Sequence, residues 1–453
     1  MQLEPSVQPR AAERNGARPI LGRLNAHGIR LLQPADAVVL FGLMVAVSFV
    51  RFERLVPADR YWGRFLIATV IFLTVFYFGG MYERELRLGS RPRLPRIVSL
   101  VSLGALVIAA LGQMTGQFLM PRANLLAFAI AASVGVAGNR RLARWLRIQR
   151  EGFPRVLLVG APDEVNLARK HIEAAGSKVL IAGEAGGIAG LVERVRSTRA
   201  TEVLLLSSRM LDELYPEPLS TLEDKGVGVL QIVGARDSLL GLRNVREIGG
   251  MPFVALYTHV MPVSQTRLKR MLDLGLLVVM APVALPLLVL LAGYVRLAAG
   301  SPVVYRQTRV GRDGTAFRIV KFRTMYEGAE LTTGPVQALR DDPRVVPALR
   351  WLRETRTDEL PQLWNVLRGQ MSVVGPRPER PEMTDRFEKL IPGYGRRHEV
   401  PPGITGLAQV HGRYHTDPEY KLGHDLQYLV NWSPVLDVQV LLRTIWVVLA
   451  RQT

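Results

Sequence analysis

The sequence predicts a membrane α plus α/β protein: a four-helix transmembrane bundle, a degenerate Rossmann-like domain, and a polar domain of mixed α/β structure entered through a re-entrant helix. Three observations predict it. Four apolar stretches open the chain, four short apolar runs then alternate with amphipathic ones, and a fifth apolar run is interrupted by two prolines ahead of a dense polar segment. The chain has 453 residues, 48% of them hydrophobic, and a net charge of +19 from 58 Lys+Arg against 39 Asp+Glu. A mean hydropathy of +0.15 beside that charge fits segregation, with apolar spans in one place and cationic flanks in another. The length suits roughly three domains. With no cysteine, disulfides, Cys-ligated zinc, iron–sulfur clusters and thiol catalysis are excluded. Seven of the 58 basic residues are lysine, and the arginine excess favours forked contacts to phosphates and lipid headgroups. No basic helix or aromatic-interleaved motif points to nucleic acid.

A bilayer core takes about 20 apolar helical residues. Residues 35–50, 65–82, 97–119 and 125–138 qualify, after a polar tail over 1–34. Arginines crowd the tail (Arg10, Arg14, Arg18, Arg23, Arg30), the second connection (Arg84, Arg87, Arg91, Arg93, Arg96) and the segment after the fourth span (Arg140, Arg141, Arg144, Arg147, Arg150), whereas the third connection has Arg122 alone. The first connection blurs the pattern with Arg51, Arg54, Arg60 and Arg64. Positive charge stays on the cytoplasmic side, so both ends of the 35–150 region are expected there, with the spans as an anchor. Four buried helices of a soluble bundle are the alternative.

From residue 154 the period changes. Runs at 156–159, 179–182, 203–206 and 229–233 alternate with amphipathic stretches that include 191–197 and 219–225, the rhythm of a parallel sheet with crossover helices over 151–250. The first strand leads into Gly160-Ala-Pro-Asp-Glu164 where a dinucleotide loop needs three spaced glycines, and no Tyr-x-x-x-Lys pair serves hydride chemistry. A structural or regulatory domain is expected, then a linker over 251–263. Within the apolar run 271–299, Pro282 and Pro286 each remove a helix hydrogen bond. A straight span competes with a helix broken at Pro282 that returns to its starting face. The second keeps Lys269, Arg270 and Arg296 near headgroups on one side and is favoured, with the helix over 266–299.

The chemistry-bearing segments follow in order. They are Lys269-Arg-Met-Leu-Asp273, Tyr305-Arg-Gln-Thr-Arg-Val-Gly-Arg-Asp-Gly314, Phe317-Arg-Ile-Val-Lys-Phe-Arg-Thr-Met325, Asp358-Glu-Leu-Pro-Gln-Leu-Trp-Asn365, Met371-Ser-Val-Val-Gly-Pro-Arg-Pro378 and Pro402-Gly-Ile-Thr-Gly-Leu-Ala-Gln-Val410. Together they closely resemble the bacterial sugar transferases that act on polyprenyl phosphate, the monotopic phosphoglycosyl transferases. The likeness covers 264–453, and the upstream spans and Rossmann-like domain resemble the large subgroup that initiates exopolysaccharide or O-antigen units. The resemblance implies transfer of sugar-1-phosphate from a UDP-sugar to undecaprenyl phosphate with release of UMP, at the cytoplasmic face of the bacterial inner membrane. It implies Asp358 as nucleophile of a covalent phosphosugar intermediate, Glu359 as a ligand of Mg²⁺, and a homodimer among membrane lipids. Chemistry agrees, because a carboxylate attacks a diphosphate only when hard cations and fixed positive charge neutralise it.

Each motif also has a plain structural reading. Asp358 and Glu359 suit the first turn of a helix that tolerates Pro361, so ordinary capping is the alternative to catalysis. Lys321 and Arg323 alternate with apolar residues, which on a strand points both to one face, towards a phosphate or towards solvent. Arg377 between two prolines suits anion binding. Gln362 and Asn365 either face the substrate or cap neighbouring loops. Lys269 and Arg270 are expected on the headgroup and polyprenyl-phosphate side. His411, His415 and His424 lack a convincing ligand set. Three residues depart from the family pattern: Gln370 stands where an acid is usual, Ala281 where a serine often precedes the proline, and Thr357 where an apolar residue is usual. Residues 417–430 read as an amphipathic helix and 435–449 as an interfacial one. Two other functions compete: a membrane-anchored nucleotide-sugar epimerase or dehydratase, which needs the glycine fingerprint and Tyr-x-x-x-Lys, and a non-catalytic scaffold of polysaccharide export.

Overall fold

A computed structural model of the chain describes residues 32–52, 58–83, 88, 93–120, 122–176, 179–207, 210–215, 217–234, 245–256, 261–329, 342–391, 393–411 and 417–449. The N-terminal tail to residue 31, Arg84, Arg87, Arg91 and His415 lie outside them. Two compact units divide the chain, Met1–Leu256 and Tyr257–Thr453.

In the first unit, four helices occupy the first four apolar stretches: α1 (Leu32–Phe52), α2 (Ala58–Phe78), α3 (Arg93–Thr115) and α4 (Arg122–Glu151). Each is long and apolar enough to cross a membrane. They share one apolar core, in which Leu40 and Met44 of α1 meet Phe72 and Phe76 of α2, Val101 and Ile108 of α3, and Phe128 and Ala132 of α4. α4 runs well past the expected end of its span, because the arginines that follow are good helix formers and one of them is needed inside. Arg140 is buried against Asp36, at 2.7 Å, and Asp36 also accepts from Asn139 (3.0 Å) and Tyr82 (2.9 Å). Such a pair holds its charge in a low dielectric only because every oxygen is bonded.

The expected βαβ rhythm is present. β1 (Arg155–Val159), α5 (Pro162–Ala174), β2 (Leu180–Ala185), α6 (Leu191–Thr198), β3 (Glu202–Leu205), α7 (Leu219–Asp224) and β4 (Gly228–Ile232) build a parallel sheet in the order β2-β1-β3-β4. The segment expected to be a linker is not one throughout. β5 (Arg246–Ile248) and β6 (Met251–Leu256) form a hairpin that adds to β4 antiparallel, so Met251–Leu256 belongs to the sheet. Its two-residue turn is Gly249–Gly250, with φ of 60° and 77°, a pair that supplies the positive angles a tight hairpin demands. Pro252 argues against a strand by composition; here its carbonyl accepts from the Val233 amide at 2.9 Å. At the end of β1 the carboxylate of Glu164 accepts from the Ala161 amide (2.9 Å) at the start of α5, the position where a dinucleotide's phosphate would need that donor. The connection between α2 and α3 is pinned to this sheet. Leu88 is buried beside Val156, Leu158 and Phe253, its amide donates to Glu202 and its carbonyl accepts from Arg246.

The second unit opens with α8 (Val263–Ala299), a single helix of 37 residues that contains both Pro282 and Pro286. The chain does not leave helical structure at Pro282, and the re-entry expected there calls for a bend within the helix. Helical structure passes through both prolines, since each removes only one donor and flanking bonds persist. Its middle, with Val278, Val279 and Val283, is exposed. After α8 come the antiparallel hairpin β7 (Val304–Val310) and β8 (Ala316–Phe322), α9 (Arg350–Glu354), a 3-10 turn over Thr357–Gln362, α10 (Leu363–Leu367), β9 (Ser372–Val374), α11 (Pro381–Leu390), β10 (Gly403–Thr405), α12 (Leu407–His411), α13 (Pro418–Val430) and α14 (Pro434–Leu449). β9 and β10 pair in parallel. The exposed apolar residues Val435, Val438, Leu442, Ile445 and Trp446 of α14 recur at helical spacing, as expected of an interfacial helix.

Candidate active site

Asp358 and Glu359 lie in the 3-10 turn that leads into α10, with Pro361 in the same turn, as expected. The residue before the turn, Arg356, has φ of 59°, a strained angle for a side chain of that size. Its guanidinium comes to 3.7 Å from Glu359 Oε1, where Lys321 Nζ (2.6 Å) and Arg377 Nη2 (3.5 Å) also converge. Burial works to raise the Glu359 carboxyl, but Lys321, Arg377 and Arg356 together outweigh it and hold it well below the usual carboxylate range. Asp358 is different. It is half-buried, and no hydrogen bond or ion pair holds its carboxylate among the described residues. Burial, and then the neighbouring charge of Glu359, push it up to about 6, against the pull of Lys321, Arg353 and Arg356. The dyad thus offers one carboxylate locked as an anion and one left unbonded. Environments that separate two acids in this way are typical of sites where the acids have different tasks.

Three side chains set this geometry rather than line it. Asn365 is buried, accepts from the Val320 amide (3.1 Å) and donates to the Arg318 carbonyl (2.8 Å), so it clamps β8 to the dyad. That use of its amide corrects the alternative in which it faces substrate. Its Nδ2 also donates to Gln370 Oε1 at 2.9 Å, so the glutamine found where an acid is usual still supplies the acceptor. We expect Gln370→Glu to leave turnover within about twofold and stability within about 1 kcal/mol, checked by activity and thermal unfolding. The Thr357 hydroxyl, the second departure from the expected pattern, donates to the Leu352 carbonyl (3.3 Å) and lies 2.9 Å from Thr355 Oγ1.

The expected pairing of Lys321 with Arg323 on one phosphate is not what the fold brings together. β8 ends at Phe322, the alternation is lost there, and Arg323 donates to the Ala299 carbonyl at the end of α8. Gln362 is buried three residues after Glu359, a spacing that stacks side chains on one face of a 3-10 helix, and its Nε2 has no hydrogen-bond partner among the described residues. It remains a candidate for a ligand oxygen.

Lys269 and Arg270 are also placed otherwise than expected. Lys269 is 3% exposed, so its ammonium is out of reach of headgroups. It pairs with Asp437 at 2.9 Å and lies over the rings of Tyr428 (5.6 Å) and Trp432 (6.0 Å). Four residues on, Asp273 accepts from Ser372 Oγ (2.7 Å) and the Val373 amide (3.1 Å). Arg270 donates to the Val366 and Leu367 carbonyls at the end of α10. These helix residues fasten α8 to α10, β9 and α14.

The loop that carries Arg377 is built on close backbone approach. A Cβ on Gly403 would stand 2.1 Å from the Gly375 nitrogen, and one on Gly406 would stand 2.1 Å from the Gly375 carbonyl oxygen. The Gly375 amide donates to the Thr405 carbonyl and the Gly403 amide to the Pro376 carbonyl, both at 2.8 Å. Only glycine lets the two motifs pass at that distance. Among the described residues no group of three His, Asp or Glu side chains could hold a metal. His411 and His424 stack with ring centroids 5.4 Å apart.

Residues 264–451 match the model of the bacterial sugar transferase family. A relative from Caulobacter vibrioides, a UDP-glucose:undecaprenyl-phosphate glucose-1-phosphate transferase, is 40% identical over 257 residues, 55% of this chain and 89% of that protein. The chain belongs to the bacterial sugar transferase family. A protein of the same name from Klebsiella pneumoniae is 35% identical over 268 residues, 58% of this chain and 57% of the relative. A UDP-N-acetylgalactosamine-undecaprenyl-phosphate N-acetylgalactosaminephosphotransferase from Aeromonas hydrophila is 40% identical over 185 residues, 40% of this chain and 44% of the relative. The chain thus spans about half the length of these last two bacterial sugar transferases.

Sequence reasoning missed Arg356, Arg309 and Arg397 as parts of this bacterial sugar transferase site. Arg356 had a signal, since it precedes Glu359 by one 3-10 turn. Arg309 and Arg397 had none, because the carbonyls they hold, those of Pro378 and Arg377, lie 69 and 20 residues away along the chain.

Proposed function

We propose that this bacterial sugar transferase moves sugar-1-phosphate from a UDP-sugar to undecaprenyl phosphate, with Asp358 as nucleophile. The observation that carries the reading is the dyad itself, an unbonded Asp358 carboxylate beside a Glu359 held ionised by three cations. In the first step an Asp358 oxygen attacks the phosphorus that bears the sugar. The bond from that phosphorus to the oxygen bridging to the nucleotide breaks, and UMP leaves with the bridging oxygen and its electron pair. In the second, a phosphate oxygen of undecaprenyl phosphate attacks the same phosphorus, the aspartyl–phosphorus bond breaks, and the Asp358 carboxylate is restored. Two steps let a soluble and a lipid substrate use one site in turn. Lys321, Arg356 and Arg377 stabilise the charge on the transferring group.

The donor set fits Mg²⁺. The three cations all lie on Glu359 Oε1, which leaves Oε2 unbonded among the described residues, and Asp358 is the preceding residue in the same turn. Glu359 would hold the ion, whose preference for hard oxygens and retained waters needs few protein ligands. When bound, it supplies neutralisation of the diphosphate.

The membrane placement belongs to the same proposal: four spans as an anchor, a homodimer in the bacterial inner membrane, and α8 re-entering on the cytoplasmic face. Arg270 near the start of α8 bonds α10, and Tyr294 near its end donates to the Ala348 carbonyl at 2.8 Å. A crossing helix would put those positions on opposite sides of a core about 30 Å thick, yet one polar body receives both. The raised Asp358 predicts a pH profile. The attacking form is the anion, so kcat/KM should fall as pH drops through about 6 and level off above it. A profile that stays flat down to pH 4.5 would count against Asp358 as nucleophile. The decisive assay is UMP release from a panel of UDP-sugars with undecaprenyl phosphate; no release from any sugar defeats the reading.

A further inference from the structure

Arg377 reaches Glu359 from a loop over 375–379 whose backbone is held from two sides by arginines that take no part in the transfer steps. On one side Arg309 of β7 donates from Nη1 to the Pro378 carbonyl (3.2 Å), with Nη2 fixed on Gln307 Oε1 (2.6 Å). Beside it the Val310 amide donates to the Glu379 carbonyl at 3.0 Å. On the other side Arg397 donates from Nη2 to the Arg377 carbonyl (3.0 Å), anchored by Asp425 at 2.7 Å and by the Tyr394 hydroxyl. The Gly403 amide takes the Pro376 carbonyl. Every carbonyl from 376 to 379 therefore has a donor, and two of those donors are guanidinium groups.

A turn of this kind needs donors, not cations. Placing Arg309 behind Arg377 is unfavourable in itself: burial, and then the charge of Arg377, pull its guanidinium down to about 10. Its Nε has no partner among the described residues. An amide side chain would close the turn without that repulsion. What a guanidinium adds is a rigid fork that fixes the carbonyl in direction as well as distance, together with positive potential where an anion must arrive.

The geometry points to Arg309 and Arg397 as positioning residues, clamping the 375–379 loop from opposite faces so that the Arg377 guanidinium is held ready for the diphosphate of the sugar donor. The substrate named here rests on the transfer proposed above; the loop contacts do not. The test is a double-mutant cycle on the full chain in detergent, with Arg309→Met, Arg377→Ala and the pair, read by UMP release and by hydrogen exchange of the Gly375, Arg377 and Glu379 amides. A residue that acts through Arg377 loses its effect once Arg377 is gone. We expect Arg309→Met to lower kcat/KM about tenfold, mostly in kcat, to speed exchange across the loop, and to change activity less than about twofold in the Arg377→Ala background. Gln307→Leu, which loosens Arg309 without removing it, should lose about threefold with the same dependence, and decides the matter if Arg309→Met does not fold. An equal loss in both backgrounds, or unchanged exchange, overturns the clamp. If the unaltered chain releases no UMP, the transfer reading fails and the exchange comparison alone settles the clamp.

Discussion

Asp358→Asn should abolish UMP release while leaving the fold as stable as before, or more so. The carboxamide has the same shape, so no packing is lost, and no bond to Asp358 is broken among the described residues. Its nitrogen and neutral oxygen cannot attack phosphorus, and nucleophile removal typically costs 10³-fold or more in kcat, about 4 kcal/mol of barrier. Stability should move the other way. Asp358 titrates at about 6 in the folded chain and near 3.8 unfolded, so the fold binds its proton more tightly and loses that advantage as pH rises through 6. At pH 8 the ionised group opposes folding, and asparagine removes that opposition. The measurement is paired: turnover and thermal unfolding of the purified chain at pH 5 and pH 8. Retained turnover would end the case for Asp358; lost turnover with an equally lost fold would make the residue structural.

Lys269→Met should destabilise the chain by about 3–5 kcal/mol, the cost of leaving a buried carboxylate without its partner. Among the described residues Lys269 is the only ammonium bonded to Asp437, which also accepts from Tyr428 (2.7 Å) and Trp432 (3.2 Å). The network joins α8, α13 and α14, and the Tyr428 hydroxyl sits 3.0 Å from the Val374 carbonyl beneath the Arg377 loop. Adding Asp437→Asn removes the stranded charge and keeps an oxygen for Trp432, while the Tyr428 hydroxyl can accept from the new amide and donate to the Val374 carbonyl, so the double variant should recover much of the loss. Thermal unfolding in detergent reads both. A headgroup-binding lysine would behave differently: its loss would change lipid dependence and leave unfolding unmoved.

Much of this protein was legible from its residues because the signals are local. The four long apolar helices, the four parallel strands and the amphipathic ends each follow from hydrophobic period; all four helices start a few residues earlier than expected, and the fourth runs on to Glu151. The hairpin over Arg246–Leu256 lies partly in the segment expected to be a linker, although Gly249–Gly250 carries its turn signal; Pro252 is an unusual strand residue. The dyad and Arg377 could be named because their motifs are contiguous. Lys269 was misplaced for the opposite reason. Alternation and charge say which face a side chain takes, and cannot say that an aspartate 168 residues later will bury it. Arg323 failed likewise, since its partner is the carbonyl of Ala299 at the end of another element.

By itself, then, the sequence determined the family, the membrane-grade helices, the sheet order's raw material and the candidate nucleophile. Only the tertiary structure decided the rest. It distinguished Glu359, locked by three cations, from Asp358, left unbonded, and it turned Asn365 and Lys269 from substrate contacts into fasteners. The physical reason is that a carboxylate's state depends on burial and on charges within a few ångströms, and those neighbours come from segments far apart in the chain.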